Sequence, residues 1–494
     1  MDRLINMRLL LGVARLALVG LASGCELIFT LKEPSELPPG ELITGQLVHR
    51  TAKMSSPTEV TVDEVPPTST QVTVRFPDDP EGRVVDVEVA DDGTFEFERL
   101  GVDYVLDTTV NTSLGASQVT LFESLPSLLV GVATAGRLDS VLVNRATTVL
   151  LPVATSTMPR GMTTIGQWTT TTVTNQTMFD WRTAGTAGGL GIGLLDPAQH
   201  DDVFILDFQL AAFTPGQTAV IAVGSPDTFA MTDGAIFDLD SVPVVPVSQN
   251  GCTHALIQLD PAIERLTTAA GTGFTAAGAS WGLLAVPALD TGLAGAVGLL
   301  AVAPTPNLAV DVDAPYHDPF PDHQLLLVAV ASTPRSLLLD GRVLTLGAVF
   351  AYLSAVERGS CPTSTTALVL VPDIAHATGI TIDGAALTAD EQPVVIERPG
   401  EAVVTWTENG SADFYQVVLH EVVQDPLNAG RFRLEQRRVL RSKEPRVAIE
   451  AAHLLVNKRY VLTIAATTGY PNLAAGDYLN VSYPATIVTM PSVV

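Results

Sequence analysis

At 494 residues the chain is longer than one ordinary domain, so two to four folding units are expected. Apolar residues make up 47% and charged residues 16%, a mix that excludes a disordered chain and a coiled coil. The balance of 27 basic against 53 acidic residues gives a net charge of −26, which argues against a nucleic-acid partner. Three cysteines are too few for a disulfide scaffold or a four-thiolate zinc site.

The first segment has a short basic head (Arg3, Arg8), an apolar stretch from Leu9 and small residues before Cys25, the layout of an export signal. Leu21-Ala22-Ser23-Gly24-Cys25 resembles a bacterial lipobox. That resemblance implies that residues 1–24 are removed and that Cys25 carries lipid. It also implies a membrane partner reached through the lipid anchor and a place in the bacterial cell envelope, at the outer membrane. Residues 25–40, polar and proline-rich at Lys32–Gly40, read as a tether. The longest later apolar run, Gly292–Ala303, is shorter than the ~20 residues of a spanning helix.

From residue 41 to 114 apolar residues alternate with polar ones. Leu42–Val48, Val72–Phe76, Val85–Val89 and Phe95–Phe97 read as strands, the last two joined by a hairpin turn at Asp91-Asp92-Gly93. Ile43-x-Gly45-x-Leu47, the Asp92-Gly93-x-Phe95 turn and Leu100-Gly101-Val102-Asp103-Tyr104 together resemble the carboxypeptidase regulatory-like, prealbumin-type β-sandwich. The resemblance implies a non-catalytic module.

Residues 115–389 carry many β-branched and aromatic runs, including Thr147–Val153, Trp168–Val173, Val203–Phe208, His254–Leu259 and Thr366–Val371. Strands and helices do not alternate, which counts against a parallel α/β fold. A turn or two of helix is expected only at Asp260–Leu266. One or two antiparallel β units fit this region, with a split near Pro304–Pro306.

Three constellations in the middle region bear on chemistry. Gly278-Ala279-Ser280-Trp281-Gly282 matches the G-x-S-x-G turn of a serine nucleophile, with Asp311 or Asp318 and His323 or His376 as partners on paper. That turn needs a buried strand before it, and Ala269–Thr275 is too rich in glycine to supply one; an ordinary loop is the plainer expectation. Asp311, Asp313, His317, Asp318, Asp322 and His323 form an acidic, histidine-bearing stretch that could hold a cation, although its prolines suit a rigid surface crossing. Cys252 and Cys361 are left once Cys25 is assigned to lipid, and in an exported chain they pair most simply as a disulfide. No cofactor is expected, and no catalytic or metal site is assigned.

Residues 390–494 contain short strands at sandwich spacing: Glu401–Trp406, Asp413–Leu419, Arg446–Ile449, Tyr460–Ala466 and Tyr478–Val481. With a tryptophan on the second strand, an aromatic on the third and Leu455-x-x-x-x-Tyr460 before the sixth, this order resembles a fibronectin type III module. The resemblance implies that the Tyr460 hydroxyl ties to nearby backbone. Nine of the 27 basic residues fall between Arg431 and Arg459. A solvated strand face is the plain account; a contact patch for an acidic glycan, or for the acidic middle of this or a neighbouring molecule, is the sharper one.

The sequence thus predicts an all-β chain of tandem antiparallel β-sandwich modules behind a lipoprotein signal peptide. The expected role is non-catalytic, as a binding or spacer module contacting protein or glycan. A hydrolytic or metal-dependent enzyme housed in the middle region is the alternative.

Overall fold

The structure is a computed structural model that describes residues 40–493, apart from 136–140, 153–159, 166–169, 174–177, 185–192, 211–216, 259–278, 306–308, 360–373, 388–400, 470–482 and some shorter breaks. Cys25, Cys361, His376 and the helix expected at Asp260–Leu266 lie outside the described residues. The expected all-β class is what the structure has.

The first eight strands are β1 (Leu42–Ser56), β2 (Glu59–Val65), β3 (Thr70–Arg75), β4 (Val84–Val87), β5 (Thr94–Glu98), β6 (Tyr104–Thr112), β7 (Gly115–Glu123) and β8 (Ser127–Ala135). In one sheet β5 and β2 pair antiparallel with β1, while β8 runs parallel to it. The other sheet runs β4-β3-β6-β7. Strict alternation builds the layer between them: in Thr94–Glu98 only Phe95 and Phe97 are buried, and they meet Val72, Val74, Tyr104, Leu106 and Leu121 from the facing sheet. The turn at Asp91–Gly93 forms, with Gly93 at φ 86°. Its flanking strands do not make the expected hairpin, because β4 pairs with β3 and β5 with β1, leaving only a Val89–Phe95 bridge between the arms. The turn therefore carries the chain from one sheet to the other.

The middle strands are β9 (Thr148–Leu150), β10 (Arg160–Ile165), β11 (Thr170–Val173), β12 (Met178–Asp180), β13 (Asp202–Leu210), β14 (Gln217–Gly224), β15 (Ile236–Asp238), β16 (Val245–Pro246), β17 (Gly251–Gln258), β18 (Ala279–Val286), β19 (Val297–Thr305), β20 (Ala309–Tyr316), β21 (Gln324–Leu339) and β22 (Arg342–Val356). A main sheet runs β11-β10-β13-β14-β19-β18-β21-β22, and two small sheets, β12-β9-β15 and β17-β20, accompany it. Val149, Trp181 and Phe237 pack with Val203 and Ile205 of β13 in one core. Pro304 lies inside β19, and the main sheet runs on past it through β18 and β21.

The last strands are β23 (Thr378–Ile382), β24 (Ala385–Ala386), β25 (Ala402–Thr407), β26 (Phe414–Gln424), β27 (Phe432–Ser442), β28 (Arg446–Ile449), β29 (Tyr460–Thr468) and β30 (Ala485–Val493). They form a β24-β23-β25-β28 sheet and a β27-β26-β29-β30 sheet. Val404, Trp406, Val447 and Ile449 from the first join Tyr415, Val417, Leu419, Leu462 and Ile464 from the second in one buried cluster. Trp406 and Tyr415 meet edge to face at 5.1 Å, and the Tyr460 hydroxyl accepts the Leu455 N–H at 2.7 Å.

The three groups of strands share one ladder of seventeen strands. On one side of the C-terminal sandwich β22 pairs antiparallel with β30 over Val349–Leu353 and Ala485–Thr489. On the other, β27 pairs parallel with β7, matching Leu440, Arg441 and Ser442 to Thr120, Leu121 and Phe122. The last sandwich in sequence thus sits between the other two units in space.

Candidate functional site

The arginine-rich segment Arg431–Arg459 is where sequence reasoning left two readings open, and its surroundings decide how it is used. Five of its nine cations, three of them on β27 and β28, pair with acids elsewhere in the same chain. Arg438 pairs with Asp107 of β6, and Arg446 lies 3.3 Å from Asp103 with its guanidinium 5.0 Å from the Phe122 ring centre. Arg459 grips Asp340 at the tip of the β21–β22 hairpin through two bonds of 2.8 and 3.2 Å. Arg437 and Lys458 converge on Glu421, 2.6 and 2.8 Å away, whose side chain is only 1% exposed. Lysine and hydrogen bonding hold the Glu421 carboxyl below its ordinary pKa. Most of the basic stripe is thus a fastener inside the chain, with exposed Arg431 and Arg433 at its outer end.

The joint between the first and last sandwiches is the most charged of these contacts. Arg75 of β3 reaches Glu401, Glu450 at 2.5 Å and Asp107 at 3.6 Å, and Thr120 donates its hydroxyl to the same Asp107. Arg75, Arg438 and Asp107 are 13%, 12% and 17% exposed, so solvent and salt screen them much less than a surface pair. His453 lies in the same network. Burial lowers its pKa first, then Arg438; Glu450 and Asp107 oppose the shift and Arg75 adds to it. Burial also pulls the Lys443 ammonium down, against the carboxylates of Glu123, Glu444 and Asp413.

Apolar contacts cross the same joint. Phe414 belongs to the core of the first sandwich, while Val105 and Phe122 of β6 and β7 belong to the cluster that fills the last one. Among the described residues, β6 is therefore buried on both faces at Tyr104–Leu106 and β7 at Thr120–Glu123. The visible signal was Tyr104-Val105-Leu106, three apolar residues in a row where a half-exposed strand should alternate. On the far side, Leu337, Leu339, Leu344 and Leu346 of the hairpin pack on Val461, Val422, Phe432 and Leu434.

The chemical candidates are placed differently. Ser280 lies in β18, a strand flanked by β19 and β21, and not on a strand-to-helix elbow. A side chain at Gly282 would come within 2.8 Å of the Leu300 carbonyl oxygen, so that glycine serves close strand packing. Asp311 and Asp313 belong to β20, opposite Leu256 and His254. Asp318 is consumed locally: its carboxylate takes the Arg358 Nε–H at 2.8 Å and the Phe320 N–H at 2.8 Å, while Asn250 bonds both its backbone groups. Burial, then Arg358, brings His323 down to about 4, which leaves its imidazole neutral near pH 7. Asp322 is exposed. Among the described residues no group of three or more His, Cys, Asp or Glu is placed to hold a metal ion. Cys252 donates its backbone N–H to Gly359 O at 3.0 Å, two residues before Cys361.

No protein-family profile matches the chain, and no curated protein matches it. Solved structures similar to it include the chicken CNTN1 FN1-FN3 domains, 10% identical over 92% of this chain and 98% of that one, with a TM-score of 0.13. Others are a tetra-tandem repeat in the extending region of a large adhesion protein (11%, 91% and 99%, TM-score 0.09) and domains A168-A170 from titin (9%, 89% and 93%, TM-score 0.12). Overlap this slight carries no argument, and the fold stands on its own strand pairing.

Proposed function

We propose that the chain is a lipid-anchored protein of the bacterial cell envelope, at the outer membrane, acting as a non-catalytic spacer and contact module for protein or glycan. The observation that carries this reading is the ladder that runs unbroken through β22–β30 and β27–β7, since backbone pairing across both joints suits a stiff body that holds a surface at a distance. Anchoring at Cys25 rests on the export-signal layout of residues 1–24 and the lipobox-like Leu21–Cys25. Several acyl chains would hold such a protein by apolar burial, at about 0.8 kcal/mol per methylene. The carboxypeptidase regulatory-like and fibronectin type III-like readings of the two end modules are supported by their two-sheet cores, and the second also by the Tyr460 corner bond. The strand pairing that brings β7 and β8 to the first sandwich and β23 to the last favours module limits near 41–135 and 374–494.

A bridge between Cys252 and Cys361 belongs to the same reading. It is supported by the Cys252–Gly359 backbone bond, which sets Cys252 beside a residue two positions before Cys361. Non-reducing peptide mapping should recover the 252 and 361 peptides linked, and recovery of both as free thiols refutes the pairing. The anchor is tested by expressing the full chain with labelled fatty acid: label and membrane retention should both vanish in Cys25→Ala. Equal retention of the variant, or a mature start other than residue 25, sinks the lipoprotein reading.

The enzyme alternative is disfavoured by the doubly paired strand that carries Ser280. Hydrolytic activity lost in Ser280→Ala would reinstate it.

A further inference from the structure

Strands β7 and β27 are each the last strand of their own sheet: β7 ends β4-β3-β6-β7, and β27 ends β27-β26-β29-β30. An open edge of this kind offers unpaired N–H and C=O groups to any other strand. Here each edge covers the other, through three matched residue pairs in parallel register. The same meeting brings acids from one side to cations of the other, Asp107 to Arg438, Asp103 to Arg446, and Glu401 and Glu450 to Arg75. It also hides Phe122 and Phe414. By contrast, β26 and β27 within one sandwich are matched over ten residue pairs. The covalent path between the two sandwiches runs through the whole middle region, so this contact depends on complementarity and not on a short linker.

We infer that the β7–β27 joint is a self-recognition surface, whose partner when the joint opens is a second copy of this chain. Strand β7 of one copy then takes β27 of the next in the same parallel register. In the closed chain the two edges are tethered, and their effective concentration favours the internal pairing. Between copies the contact is heterologous, one face of β7 against a different face of β27, so each added copy leaves a free β7 at one end and a free β27 at the other. Such contacts give rings or open chains instead of a single closed dimer.

The test uses two full-length variants, Asp103→Arg and Arg446→Asp, each of which sets like charges against each other within its own joint and opposite charges across a mixed one. Sedimentation velocity and amide hydrogen exchange are followed for each alone and for the mixture, across a concentration series. Wild type should stay monomeric with residues 120–122 and 440–442 protected. Each variant alone should stay monomeric, with those amides exchanging at least tenfold faster. The mixture should form oligomers that contain both variants, and the same amides should regain protection in them. Asp103→Arg with Arg446→Asp in one chain should restore the wild-type monomer, which separates an opened joint from a damaged fold. A mixture that stays monomeric with freely exchanging joint amides overturns the inference. So do oligomers whose 120–122 and 440–442 amides stay unprotected, and so does a joint as protected as wild type in both variants.

Discussion

Replacing Tyr460 by Phe isolates one hydrogen bond. The ring is buried and stays in place in the variant, while the hydroxyl that accepts the Leu455 N–H at 2.7 Å is lost. A typical intramolecular hydrogen bond contributes about 0.5–1.5 kcal/mol net. Leu455 is 53% exposed, so water can reach its freed N–H, and the lower half of that range applies, roughly 0.5–1 kcal/mol. For a cooperative body of some 150–250 residues this lowers the melting midpoint by about 1–4 °C. Tyr460→Ala removes the ring as well and should cost about 3–5 kcal/mol, the range for emptying an aromatic site. Calorimetry on wild type and both variants, with hydrogen exchange read at the Leu455 amide, separates bond from ring. A Phe variant with the wild-type midpoint and unchanged Leu455 exchange would refute the reasoning, because the corner bond would then bear no load.

Gly45 faces Phe95 across β1 and β5, and a Cβ there would fall 2.1 Å from the ring. Gly45→Ala should therefore lower the urea midpoint by an overpacking cost of about 1–3 kcal/mol. Gly347→Ala, whose Cβ meets nothing within 4 Å, is the matched control and should stay within about 0.5 kcal/mol of wild type. Burial holds His49, His323 and His420 at about 4 against an ordinary 6.5. The unfolded chain then binds more protons between those values, so stability should fall as pH drops from 6.5 towards 4. His420→Gln should flatten that slope in urea titrations, and an unchanged slope would show that His420 protonates without cost. Glu421 acts in the same direction lower down. Its depressed pKa gives stability that is present above the ordinary 4.5 and is lost as pH falls through the folded value, so Glu421→Gln should blunt the acid limb.

Local patterning made much of the fold legible. The alternation in Thr94–Glu98 became a strand with two inward phenylalanines, and the Leu455–Tyr460 spacing became a corner bond. What local pattern could not carry was the choice of partner strand. The Asp91–Gly93 turn looks like a hairpin because hairpins and sheet crossings use the same turn residues. Only the side on which Phe95 and Val87 find neighbours separates them. Strands β21 and β22 are nearly continuous apolar runs, which period-two reading passes over because both of their faces are covered along much of their length. The basic stripe was visible as composition. Its partner residues were not, because Asp107 and Asp340 come from distant parts of the chain. Ser280 shows the converse: a five-residue pattern was present, and its serine lies within a paired strand and not on a strand-to-helix turn.

Arg438 and Asp107 are 331 residues apart in sequence. A chain delivered from its amino end therefore completes the first sandwich long before the strand that will cover β7 exists. Until the last residues arrive, that border has to be shielded by something other than its eventual neighbour, such as a holding chaperone. Closure across so long a loop comes late and slowly. Truncation near the carboxyl end would for that reason harm the first-made part of the molecule as much as the part removed.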